Sequence, residues 1–313
     1  MRSFSPGLSV WRAIAIAAAL LAAPAVGAPV RDCSDCPELV VIPAQSIRIG
    51  VSEDVPDRRP SDRMPVTAQI GQPFAMARTE TTRAQYAAFI AQSGFIPAAG
   101  AIAGCNFFNG IYGYVASLDW RNPGFLQRDS EPVLCVSYHD AAAYAAWLTR
   151  KTGRKYRVPS SVEWDVAARA GSTGAFPWGN ASDKACEYAN IADRSYGAAN
   201  PHRPLFDCDD TLVTTAPVGR YKPNAYGLAD MIGNAWEWTS DCWRDDLGGA
   251  PMDGRPVTAA LGGDCAFRSP VGGGWISGIG WARLGARSKD PVGYRSFMLG
   301  FRVAAEINEK GPN

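Results

Sequence analysis

The sequence predicts an α+β domain with three helices in its first half and a long, loop-rich second half. Three observations carry that prediction. A Ser or Thr start signal precedes an apolar helical stripe at three places before residue 171, regular periodicity nearly vanishes from residue 172 to 306, and the 313 residues include 32 Gly, 23 Pro and 10 Trp. That composition reads as loops pinned by large aromatic anchors, not as a helical bundle.

Taken in order, residues 37–50 (Pro-Glu-Leu-Val-Val-Ile-Pro-Ala-Gln-Ser-Ile-Arg-Ile-Gly) read as short strands around a Pro turn. Residues 51–68 are polar and proline-containing, and are assigned to a loop. Thr82 with Gln85 makes a capping box, Tyr86, Phe89 and Ile90 form one apolar stripe, and Gly94 stops the helix. Residues 95–134 read as irregular. A second helix follows Ser137, with Asp140 in its first turn, Tyr144, Trp147 and Leu148 facing inward, and Gly153 beyond its end. The third starts on the capping box Ser160–Glu163, buries Trp164 and Val166, and is closed by Gly171. Beyond it, strand-like runs occur only at Thr215–Val218, Gly273–Ile276 and Gly300–Val303. No internal repeat, low-complexity tract or linker divides the chain, so one domain is expected.

The N-terminus reads as a targeting signal. Arg2 and Arg12 precede the apolar run Ala13–Ala23, and Ala23-Pro-Ala25 and Val26-Gly-Ala28 are both acceptable small-residue cleavage sites. The run is too short to span a bilayer. The expectation is a signal peptide over residues 1–28, cut after Ala25 or Ala28, and a periplasmic or secreted mature domain over residues 29–313 with no membrane span. The whole chain has 31 basic and 30 acidic residues, and losing the two arginines leaves 29 against 30. This near-neutral balance argues against nucleic-acid binding.

Export changes how the cysteines read. Cys33, Cys36, Cys105, Cys135, Cys186, Cys208, Cys242 and Cys265 are an even set in an oxidising compartment, which favours disulfides. Sequence permits many pairings. Bonds between chain neighbours are preferred, and the last two would close loops of about 20 residues, each contributing roughly 3 kcal/mol. Zinc is the rival reading, but only Cys33 and Cys36 have ligand-like spacing. The two histidines leave little room for a histidine-built metal site.

A second half with so little regular structure needs partners for its backbone polar groups. Disulfides are one ordering device and bound cations another. Asp230 and Glu237 are hard oxygen ligands with Gly233 and Asn234 between them, and Asn190-Ile191 with Asp209-Asp210 form a second cluster. Carboxylates with backbone carbonyls suit calcium. An acidic residue in a turn is also the commonest kind of solvated cap.

Several segments resemble, in order, the signatures of the sulfatase-modifying-factor family, whose founding member is the formylglycine-generating enzyme. They are Tyr156-Arg-Val-Pro-Ser-Ser-Val-Glu-Trp-Asp-Val-Ala-Ala-Arg169, Phe176-Pro-Trp-Gly-Asn180, Tyr188-Ala-Asn-Ile191, Thr215-Ala-Pro-Val-Gly219, Pro223 to Ser240 with its Gly233-Asn-Ala-Trp-Glu-Trp238 run, and Leu299-Gly-Phe-Arg302. The resemblance spans about residues 37–305. It implies a loop-rich variant of the C-type lectin fold and two structural calcium sites. One would use Asn190, Asp210 and the carbonyls of Ile191 and Leu212. The other would use Asp230, Glu237 and the carbonyls of Gly233 and Ala235. The resemblance also places a substrate groove at Trp275, Ser277, Trp281, Arg283 and Arg287.

The chemistry departs from the family. Its oxidase uses molecular oxygen and a copper-binding cysteine pair after a Gly-Gly-Ser motif, with four residues between the thiols. Here the matching stretch, Val271 to Arg287, contains no cysteine, and Gly274 replaces the family serine. Ser277 stands at the first cysteine's place. Ala282 stands at the second by direct count, or Ile279 by anchoring on Arg287. Cu(I) selects soft thiolates, which a serine hydroxyl cannot replace, so copper is not expected. His139 and His202 offer Ser277 no evident base.

The expectation is therefore a calcium-stabilised exported domain that binds an unknown protein or small molecule in the family groove. Two rivals stand beside it. One is an enzyme of another chemistry, parallel to the family's pyoverdine chromophore maturation protein; the family's iron-dependent sulfoxide synthases rely on an added helical iron domain that this chain lacks. The other is an unconventional sulfatase-activating enzyme.

Overall fold

The computed structural model describes residues 29–51, 59, 62–97, 104–108, 110–200, 205–245 and 247–307. The signal segment and His202 lie outside them. Strands β1 (Leu39–Ile42) and β2 (Gln45–Ile49) flank Pro43, where the Pro turn is expected. Strand β3 (Val66–Ile70) begins inside the stretch assigned to a loop, and β4 (Phe74–Ala77) follows it. Helix α1 (Arg83–Ser93) has the Thr82–Gln85 capping box, and Gly94 ends it at φ 65°. Residues 95–134 are not wholly irregular, because β5 (Cys105–Phe108) and β6 (Tyr112–Val115) pair as a hairpin. Its aromatic residues alternate too weakly with Asn and Gly to announce strands.

Helix α2 (Tyr138–Thr152) is capped by Ser137 and stopped by Gly153 at φ 76°. After β7 (Tyr156–Arg157) comes α3 (Ser161–Arg169), with the Ser160–Glu163 box. Its left-handed cap is Ala170 at φ 46°, one residue before the predicted Gly171. Two short helices, α4 (Ala185–Tyr188) and α5 (Arg194–Ala199), lack the apolar stripe that would have marked them. The remaining strands are β8 (Trp236–Glu237), β9 (Cys242–Trp243), β10 (Asp264–Arg268), β11 (Asp290–Pro291), β12 (Leu299–Gly300) and β13 (Ala304–Glu306). Thr215–Val218 and Gly273–Ile276 are loops held by side-chain and turn hydrogen bonds, and Gly300–Val303 is a strand only at its first residue.

The main sheet runs β1-β4-β13-β7, antiparallel throughout, so the last strand is inserted between early ones. Met76 is opposite both Val40 and Ala304. One face packs on Tyr86, Phe89, Tyr144 and Trp147 of α1 and α2, the other on Trp164 and Val166 of α3. The bonds Cys33–Cys36, Cys105–Cys135, Cys186–Cys208 and Cys242–Cys265 pair every cysteine with its chain neighbour.

A buried ion pair joins these layers. Arg302, after β12, is fully buried; its Nε and Nη2 each donate at 2.7 Å to the Glu237 carboxylate. Its remaining N–H groups reach the carbonyls of Ala77, Arg78, Ala229 and Asp230. Trp164 Nε1 donates to Glu237 Oε2 at 2.7 Å. The parallel pairing of Gly300 with Glu237 sets the register that brings the two charges together. Removing one member strands the other in the core, which typically costs about 3–5 kcal/mol. Arg302→Ala should therefore lower the unfolding free energy by about that amount in urea titrations followed by circular dichroism; a loss below about 1 kcal/mol would show the pair to be dispensable.

Candidate functional site

A cavity of about 670 Å³ opens where β8 and β12 meet the loop 276–281. Trp236, Trp281, Tyr112, Tyr294 and Met298 supply most of its wall, and Ser277, Ser288, Asp290 and Arg59 supply polar groups. This size and mixture suit a small-molecule site. Trp236 reaches the wall from β8, and Trp281, 43% exposed, meets it edge to face at 5.8 Å. Ser277 sits in a tight turn in which the Gly274 N–H donates to its Oγ at 2.9 Å and its own N–H donates to the Gly274 carbonyl at 2.8 Å. Its hydroxyl proton thus remains available. Asp290 Oδ2 accepts from Ser288 Oγ at 2.8 Å, and burial nevertheless holds the Asp290 carboxyl above the usual carboxylate range.

The predicted groove residues divide. Ser277 and Trp281 line the cavity, as does Ile279. Ala282 is fully buried in the core beneath it, against Gly273. Trp275 is core, meeting Phe125, Tyr196 and Phe297 edge to face at 5.5–5.8 Å. Arg283 is 2% exposed and paired with Asp62 at 2.5 Å. Arg287 is buried over the Trp243 ring at 4.1 Å and donates to the Arg244 carbonyl at 2.7 Å. These three do not line the groove, because buried partners claim their side chains. Among the described residues no histidine lines the cavity, and His139 is an exposed residue in the first turn of α2 beside Tyr138. All eight cysteines are in disulfides, so no thiol faces the cavity.

The proposed cation ligands fall in two loop clusters. In the first, Asn190 Nδ2 donates to the Thr214 carbonyl and to Asn234 Oδ1. Asp210 accepts from Leu212 N–H at 2.8 Å and from the Tyr221 hydroxyl at 2.5 Å, and burial with Asp193 nearby raises its pKa to about 6. Ile191 is buried beside these residues. In the second, Asp230 and Asn234 take left-handed backbone angles, φ 56° and 55°, around Gly233 at φ 83°. A Cβ on Gly233 would come within 2.2 Å of the Asn190 carbonyl, so glycine is required where the two loops touch. Ala235 is buried next to this turn.

Sequence reasoning missed Glu80, which follows β4 and is 1% exposed. Its Oε1 accepts from Asn234 Nδ2 at 3.0 Å, while its Oε2 and Asp230 Oδ1 are buried with no hydrogen-bond partner. Burial and then Asp230 push the Glu80 carboxyl far up; burial likewise raises Asp230. Glu80, Asp230 and Glu237 thus confront one guanidinium, that of Arg302. Carboxylate oxygens without a protein donor fit a hard divalent cation. Among the described residues no group of three or more His, Cys, Asp or Glu forms a ready metal cage, so carbonyls would have to complete either site.

The fold and the cavity define a sulfatase-modifying-factor scaffold without thiols at its groove. The family description "Sulfatase-modifying factor enzyme 1-like domain" matches residues 26–307, and the chain belongs to this family. It is 29% identical over 297 residues to the formylglycine-generating enzyme of Mus musculus, covering 86% of this chain and 75% of that one. It is 31% identical over 193 residues to the inactive C-alpha-formylglycine-generating enzyme 2 of Bos taurus, covering 59% and 56%. Among solved structures, PvdO from Pseudomonas aeruginosa superposes with a TM-score of 0.76 at 32% identity, covering 90% of this chain and 99% of that one.

The raised Asp290 carboxyl has a consequence for stability. Its folded pKa exceeds the unfolded value of about 3.9, so the protonated form favours the folded state and that contribution is lost as pH rises above about 4. Asp290→Asn should flatten this part of the decline of melting temperature with pH, measured by scanning calorimetry between about pH 4 and 7; an unaltered profile would contradict the assignment.

Proposed function

We propose that this chain is an exported, calcium-stabilised member of the family that binds a ligand in the Trp236–Trp281 cavity and lacks copper-thiolate oxidase chemistry. The observation that carries this reading is the cavity wall itself. Ser277 occupies it at the first thiol's place, the second falls either on Ile279 in the wall or on Ala282 buried beneath it, and every cysteine is committed to a disulfide. A hard hydroxyl held in a turn by Gly274 does not replace a thiolate as a Cu(I) ligand. Similarity to a relative named as inactive supports a family scaffold maintained without the oxidation. The apolar, aromatic lining supports binding as the remaining use of the cavity.

Export rests on the N-terminal sequence and is supported by the disulfides, which persist in oxidising compartments. Calcium rests on the acid excess in the core. Asp230 and Glu237, with the carbonyls of Gly233 and Ala235 and now Glu80, would hold one ion; Asn190, Asp210 and the carbonyls of Ile191 and Leu212 would hold the other. Such ions neutralise carboxylates and tie loops that lack a ladder of their own.

Two outcomes follow. Purified protein incubated aerobically with copper and a cysteine-containing sulfatase-motif peptide should show no oxygen-dependent loss of the peptide thiol by mass spectrometry; conversion of the cysteine to an aldehyde would overturn the main reading. Treatment with a calcium chelator should lower the melting temperature by roughly 5–10 °C, and added calcium should restore it. A melting curve indifferent to both would remove calcium from the account.

A further inference from the structure

One edge of the cavity carries a cation with spare donors. Arg59 lies flat on Trp281, its Cζ 3.4 Å from the ring centroid. Its backbone N and Nη2 each donate at 2.8 Å to Asp62. Asp62 is shared with the buried Arg283, whose Nη2 lies 2.5 Å from its carboxylate. Arg59 Nε and Nη1 are buried and have no hydrogen-bond partner, although the residue lines the cavity. Buried donors on a charged group left without an acceptor are costly, and an anion supplied by a ligand would satisfy them.

We propose that the cavity takes a small planar aromatic or conjugated molecule bearing one carboxylate. The carboxylate accepts from the free N–H groups of Arg59, and the ring lies among Trp236, Trp281 and Tyr294. This rests on the reading that the cavity is a ligand site, and adds the chemistry of its occupant. The volume of about 670 Å³ matches a small molecule better than a folded partner's loop. A single negative charge is favoured over a phosphate dianion because Asp290 lines the same cavity and Asp62 stands behind Arg59.

Calorimetric titration with 2-naphthoate and with its neutral amide, 2-naphthamide, tests the proposal. Naphthoate should bind the native protein at least about tenfold more tightly than the amide, the scale of one charge-assisted hydrogen bond. Arg59→Gln should abolish that preference, and Arg59→Lys should retain part of it. Equal affinity for the two probes, or a preference that survives Arg59→Gln, would overturn the anion site and leave the cavity as a ligand site. Absence of binding by either probe at millimolar concentration would overturn both.

Discussion

The Arg302–Glu237 pair is the constraint on which the rest of the molecule depends. A guanidinium buried without water must have its donors satisfied by protein, and here the acceptors come from widely separated segments. The carbonyls of Ala77 and Arg78 end β4, those of Ala229 and Asp230 open the 230–234 turn, and Glu237 brings Trp164 of α3 with it. Sheet, helix and turn are therefore fixed to one planar group. The cavity wall follows directly, because Trp236 precedes Glu237 and Met298 and Leu299 lie just before Gly300 and Arg302.

The same pair sets an electrostatic problem. It engages the guanidinium that faces Glu80 and Asp230, and one oxygen of each of these buried acids has no hydrogen-bond partner. Protonation of the raised carboxyls relieves the repulsion, and the cation proposed above would relieve it by neutralising them. The long second half is stitched by Cys186–Cys208 and Cys242–Cys265 and by Asn234 to Glu80 and Ala216.

Much of this was legible in the residues. The three long helices announced themselves through Thr82, Ser137 and Ser160, since a capping box is a local device read from four residues. Two-residue strands such as β8 and β12 were invisible, because their pairing is decided by contacts made across the whole chain. The structure brings Ser277 and Trp281 to the cavity wall, and Trp275, Arg283 and Arg287 to buried partners. Aromatic and arginine side chains serve cores and binding surfaces equally well, and only burial and partners separate the two. Arg59 and Glu80 gave no signal: one lies in a polar loop, and the other's raised carboxyl comes first from burial and then from Asp230, 150 residues away in the chain.

Fold and chemistry are separable in principle: Arg302 and the buried acids belong to the scaffold, whereas the thiol-free wall bears on the proposed function. The most direct test of that account is the metal content of native protein purified without chelators, measured by mass spectrometry of the elements. About two calcium ions per chain are predicted, falling by one in Glu80→Gln. Protein free of divalent cations yet fully folded at neutral pH would contradict it.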